Sequence, residues 1–165
     1  MKTSLNKRIS IVAGSFDPLT VGHYDIIERA CSLFDKVIVA VANDAGGKNA
    51  LSGKQRLQLA RAALARLSDK IHIELFEGLL VDFVAKVGGG TLVRGLRNSI
   101  DFEYEKSLSA IYHSHNPDIE IMYLMSPPTL SHVSSSIIKE ILRYGGSIRG
   151  YVPKNIEDKV VDLYS

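Results

Sequence analysis

The residues best suited to bind a ligand or take part in a reaction lie between Gly14 and His23, where the sequence reads GSFDPLTVGH. A glycine at position 14 lets a ligand approach the backbone closely, and Ser15 offers a hydroxyl group and a main-chain N–H. His23 follows Gly22 at the expected start of a helix, where free N–H groups and the helix dipole favour a phosphate group. An ordinary turn with a surface histidine is the alternative, but the whole pattern in one turn favours a phosphate site.

Two arginines, Arg94 and Arg97, are three positions apart and directly follow an apolar run. Guanidinium groups at that point suit a phosphate group or a polarised nucleotide. The alternative is a pair of salt bridges to carboxylates of the next helix, such as Asp101, Glu103 or Glu105. The spacing alone leaves both interpretations open.

The serines 134–136 stand at the expected start of another helix. Their hydroxyl groups and the free N–H groups of a first helical turn together make an anion site suited to a polyphosphate. Simple N-capping is the alternative, since serine caps helices well. One serine would suffice as a cap, so the run of three favours binding.

Several familiar motifs are absent. Gly14 is not followed by further glycines at the spacing of a dinucleotide fingerprint, and Lys48 is followed by Asn49 where a P-loop needs serine or threonine. His113 and His115, two apart on a helix, would not share a face, so they do not indicate a metal site. The sequence also offers no carboxylate cluster for a dedicated metal cage.

Short apolar runs alternate with helical patterns along the chain. The runs predicted as strands are 8–13, 36–42, 70–76, 91–93 and 119–125. Helix signals fall within 27–34, 52–67, 79–87, 100–113, 134–144 and 153–164, and the glycines 88–90 fit a helix-to-strand turn. This alternation predicts crossover units and one doubly wound α/β domain with a five-stranded parallel sheet over residues 1–165, residues 1–7 forming a polar tail.

That architecture indicates where a ligand would bind. In open parallel sheets, ligands lie beyond the carboxyl ends of the strands, at a topological switch point. The loops that follow the predicted strands are 14–18, 43–49, 78–80, 94–97 and 126–136. We therefore expect the histidine, the arginines and the serines to converge at one edge of the sheet.

Composition excludes several classes of protein. The chain has 165 residues, of which 45% are hydrophobic, with a net charge of +2, so disorder does not describe the whole and sequence-independent nucleic-acid binding is disfavoured. Cys31 is the single cysteine, which excludes a disulfide framework. No apolar run is long enough for a membrane span, and the polar residues 1–8 lack the core of a signal peptide, so an intracellular location is expected.

The segment from Gly14 to His23 resembles the signature of the T/HxGH nucleotidyltransferases, which transfer a nucleotidyl group with loss of pyrophosphate. The segment VSSSIIK at 133–139 matches the second signature of that superfamily. RGLR from Arg94, followed by DFEYE from Asp101, is narrower and resembles the bacterial phosphopantetheine adenylyltransferase family. The resemblance extends over about residues 8–153.

The resemblance implies a Rossmann-like nucleotidyltransferase fold and a reaction in coenzyme A biosynthesis. The adenylyl group of ATP, accompanied by Mg²⁺, would pass to 4′-phosphopantetheine, giving dephospho-coenzyme A and pyrophosphate. The attacking phosphate is already anionic, so in-line attack would need neither a general base nor a covalent intermediate. A cytoplasmic homohexamer, a dimer of trimers, is also implied, with coenzyme A as a further possible ligand and no nucleic-acid or membrane partner.

The resemblance also implies a role for each site residue. Ser15, Lys48 and Arg94 would hold the attacking phosphate, and His23 would stabilise the transition state. Leu79 and Leu80 would line the channel for the pantetheine arm. The residues implied in nucleotide binding are Gly14, Ser15, Phe16, His23, Gly95, Arg97, Glu105, Leu130, Ser131, His132, Val133, Ser134, Ser135 and Ser136.

Two positions depart from the family pattern. The family usually carries two adjacent lysines after the second strand, and the more important one falls on Gly47 here, so its role is carried to the neighbouring Lys48. Tyr112 stands where the family often has an asparagine that contacts pantetheine. The rival interpretations are a cytidylyl- or nicotinamide-mononucleotide-type transferase, against which Thr20 argues, and a non-catalytic nucleotide-binding module on the same fold.

Overall fold

A five-stranded parallel sheet forms the centre of the chain in a computed structural model, which describes residues 5–43 and 49–164. The strands are β1 Asn6–Gly14, β2 Lys36–Ala42, β3 Ile71–Phe76, β4 Gly89–Leu96 and β5 Glu120–Met125. Their order in the sheet is β3-β2-β1-β4-β5, and every neighbouring pair is parallel. The predicted five-stranded parallel sheet is confirmed.

Six α-helices connect or follow the strands in the described ranges. They are α1 Val21–Leu33, α2 Gly53–Ala63, α3 Leu80–Val87, α4 Ser99–His115, α5 Ser135–Arg143 and α6 Glu157–Tyr164. Polar side chains begin several of them: Ser52 and Gln55 form the predicted capping box of α2, and Asn98 caps α4. These caps satisfy N–H groups that a helix leaves unpaired in its first turn. None of the described helices combines the length and apolar character that crossing a bilayer requires.

Helices cover both faces of the sheet. One core cluster places Val39 of β2 with Ile27 of α1, Leu59 of α2 and Ile138 of α5. The other cluster places Ile38, the residue of β2 that precedes Val39, with Val81, Phe83 and Val84 of α3. Successive side chains of a strand point to opposite faces, so the nearly continuous apolar run of β2 is what a strand buried on both faces requires.

The order of the strands creates a switch point at the centre of the sheet. From β1 the chain moves outward to β2 and β3, and then returns to place β4 on the other side of β1. The connections that leave β1 and β4 therefore diverge, which opens a crevice at the carboxyl ends of these two strands. The first turn of the chain, residues 15–20, follows β1 directly, and Arg94 and Arg97 lie at the end of β4.

The start of β4 differs from the prediction for the glycines 88–90. Only Gly88 forms the turn, with φ of 69° at the end of α3, whereas Gly89 and Gly90 belong to β4. A Cβ atom on Gly90 would lie 2.7 Å from the Lys7 backbone nitrogen, so close strand packing requires glycine there. Asn6 pairs with Gly89, and β1 thus begins within the segment 1–7 that the sequence assigns to a polar tail.

Candidate functional site

A cavity of about 540 Å³ opens at the crevice between the carboxyl ends of β1 and β4. This volume is in the usual range of small-molecule sites. It is lined by Gly14, Phe16, Thr20, Gly22, His23, Arg94, Gly95, Arg97, Asp101, Tyr104, Glu105, Ser126, Leu130, Val133, Ser134, Ser135 and Ser136, with Val12, Ala13, Ile26 and Val93 at its base. The expected convergence of the histidine, both arginines and the serines is therefore observed in one cavity.

The first turn is folded tightly over the end of β1. Phe16 has a positive φ of 49°, a conformation that costs energy for a residue with a side chain, and its ring is 2% exposed. The ring contacts His23 edge-on, with centroids 5.1 Å apart, and lies 3.2 Å from the position that a Cβ on Gly14 would occupy. Glycine at position 14 therefore lets the Phe16 ring pack beneath the histidine.

A capping box at the start of α1 fixes the orientation of His23. The Thr20 hydroxyl oxygen accepts a hydrogen bond from the His23 backbone N–H at 3.2 Å, and the Thr20 backbone N–H donates to His23 Nδ1 at 3.0 Å. Because Nδ1 accepts a hydrogen bond from the Thr20 N–H, it carries no proton itself, and the neutral ring has its proton on Nε2. A histidine three residues after an N-cap threonine is the sequence signal for this box.

Electrostatics keep the His23 ring neutral. Burial, together with the positive charges of Arg97 and Arg94, lowers the pKa of His23 from 6.5 to about 4. At neutral pH the ring therefore presents an Nε2–H donor without adding a third positive charge. A fixed neutral donor of this kind suits an oxygen atom on which negative charge develops during a reaction.

Arg94 is held by a carboxylate at the side of the cavity. Its Nε and Nη2 donate to the two carboxylate oxygens of Glu105 at 2.8 and 2.5 Å, and its Nη1 donates to the Ala13 carbonyl at 3.0 Å. Burial opposes the charge of Arg94, but the bonds to Glu105 outweigh it and raise the pKa of Arg94. Three of the five N–H groups of the guanidinium are used, so two remain for a ligand.

Arg97 forms a second pair of the same kind. Its Nε and Nη2 donate to the carboxylate of Asp101 at 2.9 and 3.1 Å, and its backbone N–H donates to the same carboxylate. These bonds hold the pKa of Asp101 below its usual value, although burial acts against them. Both salt bridges that the spacing left open are thus formed, and they orient the arginines within the cavity.

The first turn of α5 forms the wall of the cavity beyond the end of β5. Ser134 caps the helix by accepting a hydrogen bond from the Ile137 N–H at 3.2 Å, and Ser135 donates to the Pro18 carbonyl at 2.8 Å. Ser136 is exposed and lines the cavity, and its hydroxyl group makes no hydrogen bond to the described residues. One serine caps, one ties the helix to the first turn, and one remains for a ligand.

Some predicted site residues lie outside the cavity wall. Ser15 is exposed between two lining residues, Gly14 and Phe16. Ser131 donates to the Pro128 carbonyl, and the His132 ring packs edge-on against Tyr151, so neither lines the cavity. These contacts hold the loop that leads into α5, and the nucleotide-binding roles of Ser131 and His132 stay predictions.

The two leucines predicted to line the channel for the pantetheine arm lie at the same edge of the sheet as the cavity, but after the outermost strand β3. Leu79 precedes α3 and is 56% exposed, whereas Leu80 packs partly against the core. Both follow β3, which is separated from β1 by one strand. Lys48, the remaining predicted phosphate ligand, lies outside the described residues.

The carboxylates of the cavity are committed to arginines rather than gathered around a metal position. Asp101 pairs with Arg97 and Glu105 pairs with Arg94. Within 5–43 and 49–164, no group of three or more His, Cys, Asp or Glu side chains could hold a metal ion. A cation at this cavity would therefore take most of its ligands from a bound phosphate group and from water.

Comparison with known proteins assigns the family. Residues 11–141 match the family model described as cytidylyltransferase-like. A solved Vibrio parahaemolyticus protein, assigned as a nicotinate-nucleotide adenylyltransferase, has the same fold at a TM-score of 0.72 and 19% identity, with 94% of each chain covered.

Two curated relatives match at higher identity over nearly the whole chain, and both are phosphopantetheine adenylyltransferases. The one from Caldanaerobacter subterraneus subsp. tengcongensis is 36% identical, with 95% of this chain and 98% of the relative covered. The one from Clostridium perfringens strain SM101 is 38% identical, with 94% and 97% covered. With its cavity at the switch point of a nucleotidyltransferase fold, the chain belongs to the phosphopantetheine adenylyltransferase family.

Proposed function

We propose that this protein transfers the adenylyl group of ATP to 4′-phosphopantetheine, forming dephospho-coenzyme A and pyrophosphate as a step of coenzyme A biosynthesis. The observation that carries the proposal is the convergence of His23, Arg94, Arg97 and the α5 helix start on one cavity. Membership of the phosphopantetheine adenylyltransferase family supplies the choice of substrates.

The reaction needs little covalent chemistry from the protein. An oxygen of the 4′-phosphopantetheine phosphate attacks the α-phosphorus of ATP, and the bond from that phosphorus to the bridging oxygen breaks, so pyrophosphate leaves with the electron pair. The attacking phosphate is largely dianionic at neutral pH, so no general base is required. Catalysis then consists of positioning the two phosphates and stabilising the charge of the transition state.

The residues of the cavity divide this work. His23 Nε2–H donates to an α-phosphate oxygen, while the free N–H groups of Arg94 help Ser15 and Lys48 to hold the attacking phosphate. Arg97 and the first turn of α5 hold the nucleotide phosphates. Glu105 uses two of its carboxylate lone pairs for Arg94 and keeps others that can accept ribose hydroxyl groups.

The remaining ligands fit the same edge of the sheet. The pantetheine arm extends from the cavity past β2 toward the exposed Leu79 and its neighbour Leu80. Mg²⁺ enters with ATP, held mainly by phosphate oxygens and water. The product dephospho-coenzyme A occupies the same part of the sheet edge, coenzyme A binds there as a further ligand, and the reaction takes place in the cytoplasm.

We also propose that the chain assembles into a homohexamer through surfaces that include α4. This helix has 17 residues, of which only Glu105 is buried. Its apolar side chains include Ile100, Phe102 and Ile111, which are 78%, 40% and 53% exposed. Apolar surface of this kind on one helix is typical of an interface.

The assembly has a direct test. Light scattering should give six chain masses for the wild type, and Ile111→Asp should lower that mass because it places a charge in an apolar contact. Leu33→Asp, exposed on α1 across the sheet, is the matched control and should keep six. A monomeric wild type would contradict the proposal.

Pyrophosphate release tests the reaction itself. Release should require both ATP and 4′-phosphopantetheine, because the cavity would align two phosphates for in-line attack. Replacing ATP by CTP, or the acceptor by nicotinamide or nicotinate mononucleotide, should abolish it. Turnover with one of those replacements would favour the rival transferases, and calorimetric ATP binding without any turnover would favour a non-catalytic module.

His23→Ala should lower kcat by about 10²- to 10³-fold while circular dichroism stays unchanged, because one preorganised donor is lost. Ser15→Ala should lose less, because the main-chain donors of the turn remain. His72→Ala, an exposed histidine of β3, is the control and should turn over normally. Wild-type kcat in a folded His23→Ala variant, or equal losses at positions 15 and 23, would rule out these roles.

The pH dependence of stability should report the neutral state of His23. Its pKa of about 4 lies below its ordinary value of 6.5, so protons bind the unfolded chain more readily and stability falls as pH drops from about 6.5 to 4. Urea unfolding at several pH values should show a smaller fall in the free energy of unfolding for His23→Ala than for the wild type. Both proteins contain the same other histidines, so the difference between them reports His23. Identical pH slopes for the two proteins would show that His23 titrates normally.

A further inference from the structure

A buried carboxylate beneath the first turn collects donors from distant parts of the chain. Asp17 is 2% exposed. Its Oδ1 accepts hydrogen bonds from the Leu51 N–H at 3.1 Å and the Tyr164 hydroxyl at 2.7 Å, and its Oδ2 accepts from the Ala50 N–H and the Lys139 ammonium, both at 2.9 Å. Four donors, from the segment before α2, from α5 and from α6, thus meet at one side chain.

The protonation states make these bonds persistent. Burial alone would raise the pKa of Asp17, but the hydrogen bonds outweigh burial and hold that pKa below its usual value. Burial and the bond to Asp17 both raise the pKa of Tyr164, so its hydroxyl stays a donor. We call Asp17, Lys139 and Tyr164 the Asp17 junction.

The Asp17 junction lies directly behind the cavity. Asp17 adjoins Phe16, on which the His23 ring packs, and Lys139 lies one turn beyond the serines that open α5. A second bond, from Ser135 to the Pro18 carbonyl, links the same two segments nearer the cavity. The Asp17–Lys139 contact therefore helps to set the separation between the turn after β1 and the start of α5, and neither of these two residues lines the cavity.

The third segment follows the part of the chain that contains Lys48. Ala50 and Leu51 donate to Asp17, and the buried Arg56 donates to the carbonyls of Leu51 and Ser15 at 3.0 and 2.5 Å. Asp17 and Arg56 thus anchor this segment to the turn through backbone groups, without using any side chain of the cavity.

Tyr164 connects the last helix to this arrangement. The match to the cytidylyltransferase-like family model ends at residue 141, well before α6. The Tyr164 ring packs against the core, and its hydroxyl reaches Asp17. Removing the hydroxyl would leave the apolar contacts of the ring in place, so position 164 separates the bond from the packing.

We propose that the Asp17 junction is a positioning device for the adenylyl transfer. In this device, Tyr164 and Lys139 hold the first turn of the chain, on whose Phe16 the His23 ring packs, and the start of α5 at the spacing that the transition state requires. This inference rests on the proposed function. Tyr164, Lys139 and Asp17 are positioning residues, since they act through the first turn and α5 and touch no reacting atom.

Tyr164→Phe is the decisive variant, with Tyr144→Phe as its control because Tyr144 is 78% exposed at the end of α5. In Tyr164→Phe we expect kcat for pyrophosphate formation to fall roughly tenfold or more, because small misplacements of reacting groups cost large factors in rate. KM for ATP should change much less. Amide hydrogen exchange should accelerate at Ala50 and Leu51 but not in β2.

Three results would overturn the inference. They are an unchanged kcat in folded Tyr164→Phe, a rise in KM with kcat preserved, and acceleration of exchange throughout the core that marks a general loss of stability. If Tyr164→Phe does not fold, Lys139→Gln gives the same test, with the exposed Lys159→Gln as its control.

Failure of the proposed function itself would be recognised separately. A wild-type protein that releases no pyrophosphate contradicts the reaction. In that case the amide exchange at Ala50 and Leu51 still decides whether the junction holds the segment before α2 in place. Exchange at the wild-type rate in Tyr164→Phe would then refute the positioning role as well.

Discussion

The rest of this structure depends on one constraint, which is that several fixed hydrogen-bond donors must face the same cavity. Polyphosphates bring several charges together, and a protein can hold them only with donors that already face them. Here the donors come from the end of β4 and from the starts of α1 and α5, which meet because β1 and β4 are neighbours while their connections diverge. The topology of the sheet therefore brings together groups that are more than a hundred residues apart in sequence.

Positive charge in such a site must be limited as well as supplied. Arg94 and Arg97 each face a carboxylate, which cancels much of their mutual repulsion and holds the guanidinium groups in one orientation. His23 contributes a donor without a charge, because burial and the two arginines keep its pKa low and Thr20 occupies its Nδ1. The cavity can therefore bind an anion strongly and still keep donors in place before the anion arrives.

A second set of polar groups, buried behind the cavity, holds its walls. Asp17 and Arg56 are almost entirely buried, and the bonds that compensate for burying their charges come largely from backbone groups and from distant helices. Buried charges are costly unless fully partnered. In this protein these bonds connect the turn after β1 to the segment before α2, to α5 and to α6.

Much of the fold could be predicted from the sequence because strand patterns and helix caps depend on residues that are close together in the chain. Alternating apolar runs and helix caps predicted the parallel sheet, and the switch-point rule placed the histidine, arginines and serines at one edge. The alternatives at Arg94, Arg97 and Ser134 were not resolved, because each depends on which side chain is adjacent in space. In the structure, pairing and ligand binding are compatible, since every one of these groups keeps unused donors or acceptors.

The sequence by itself determined the alternation of five strands with helices, the family motifs and the residues that we predict to contact a phosphate group. Only the tertiary structure decided the protonation state of His23, the partners of the arginines and the role of Asp17, Arg56 and Tyr164. The physical reason is that helix caps and strand patterns depend on neighbours in the chain. A pKa or a buried hydrogen bond depends instead on burial and on charges from distant segments, which exist only once the chain has folded.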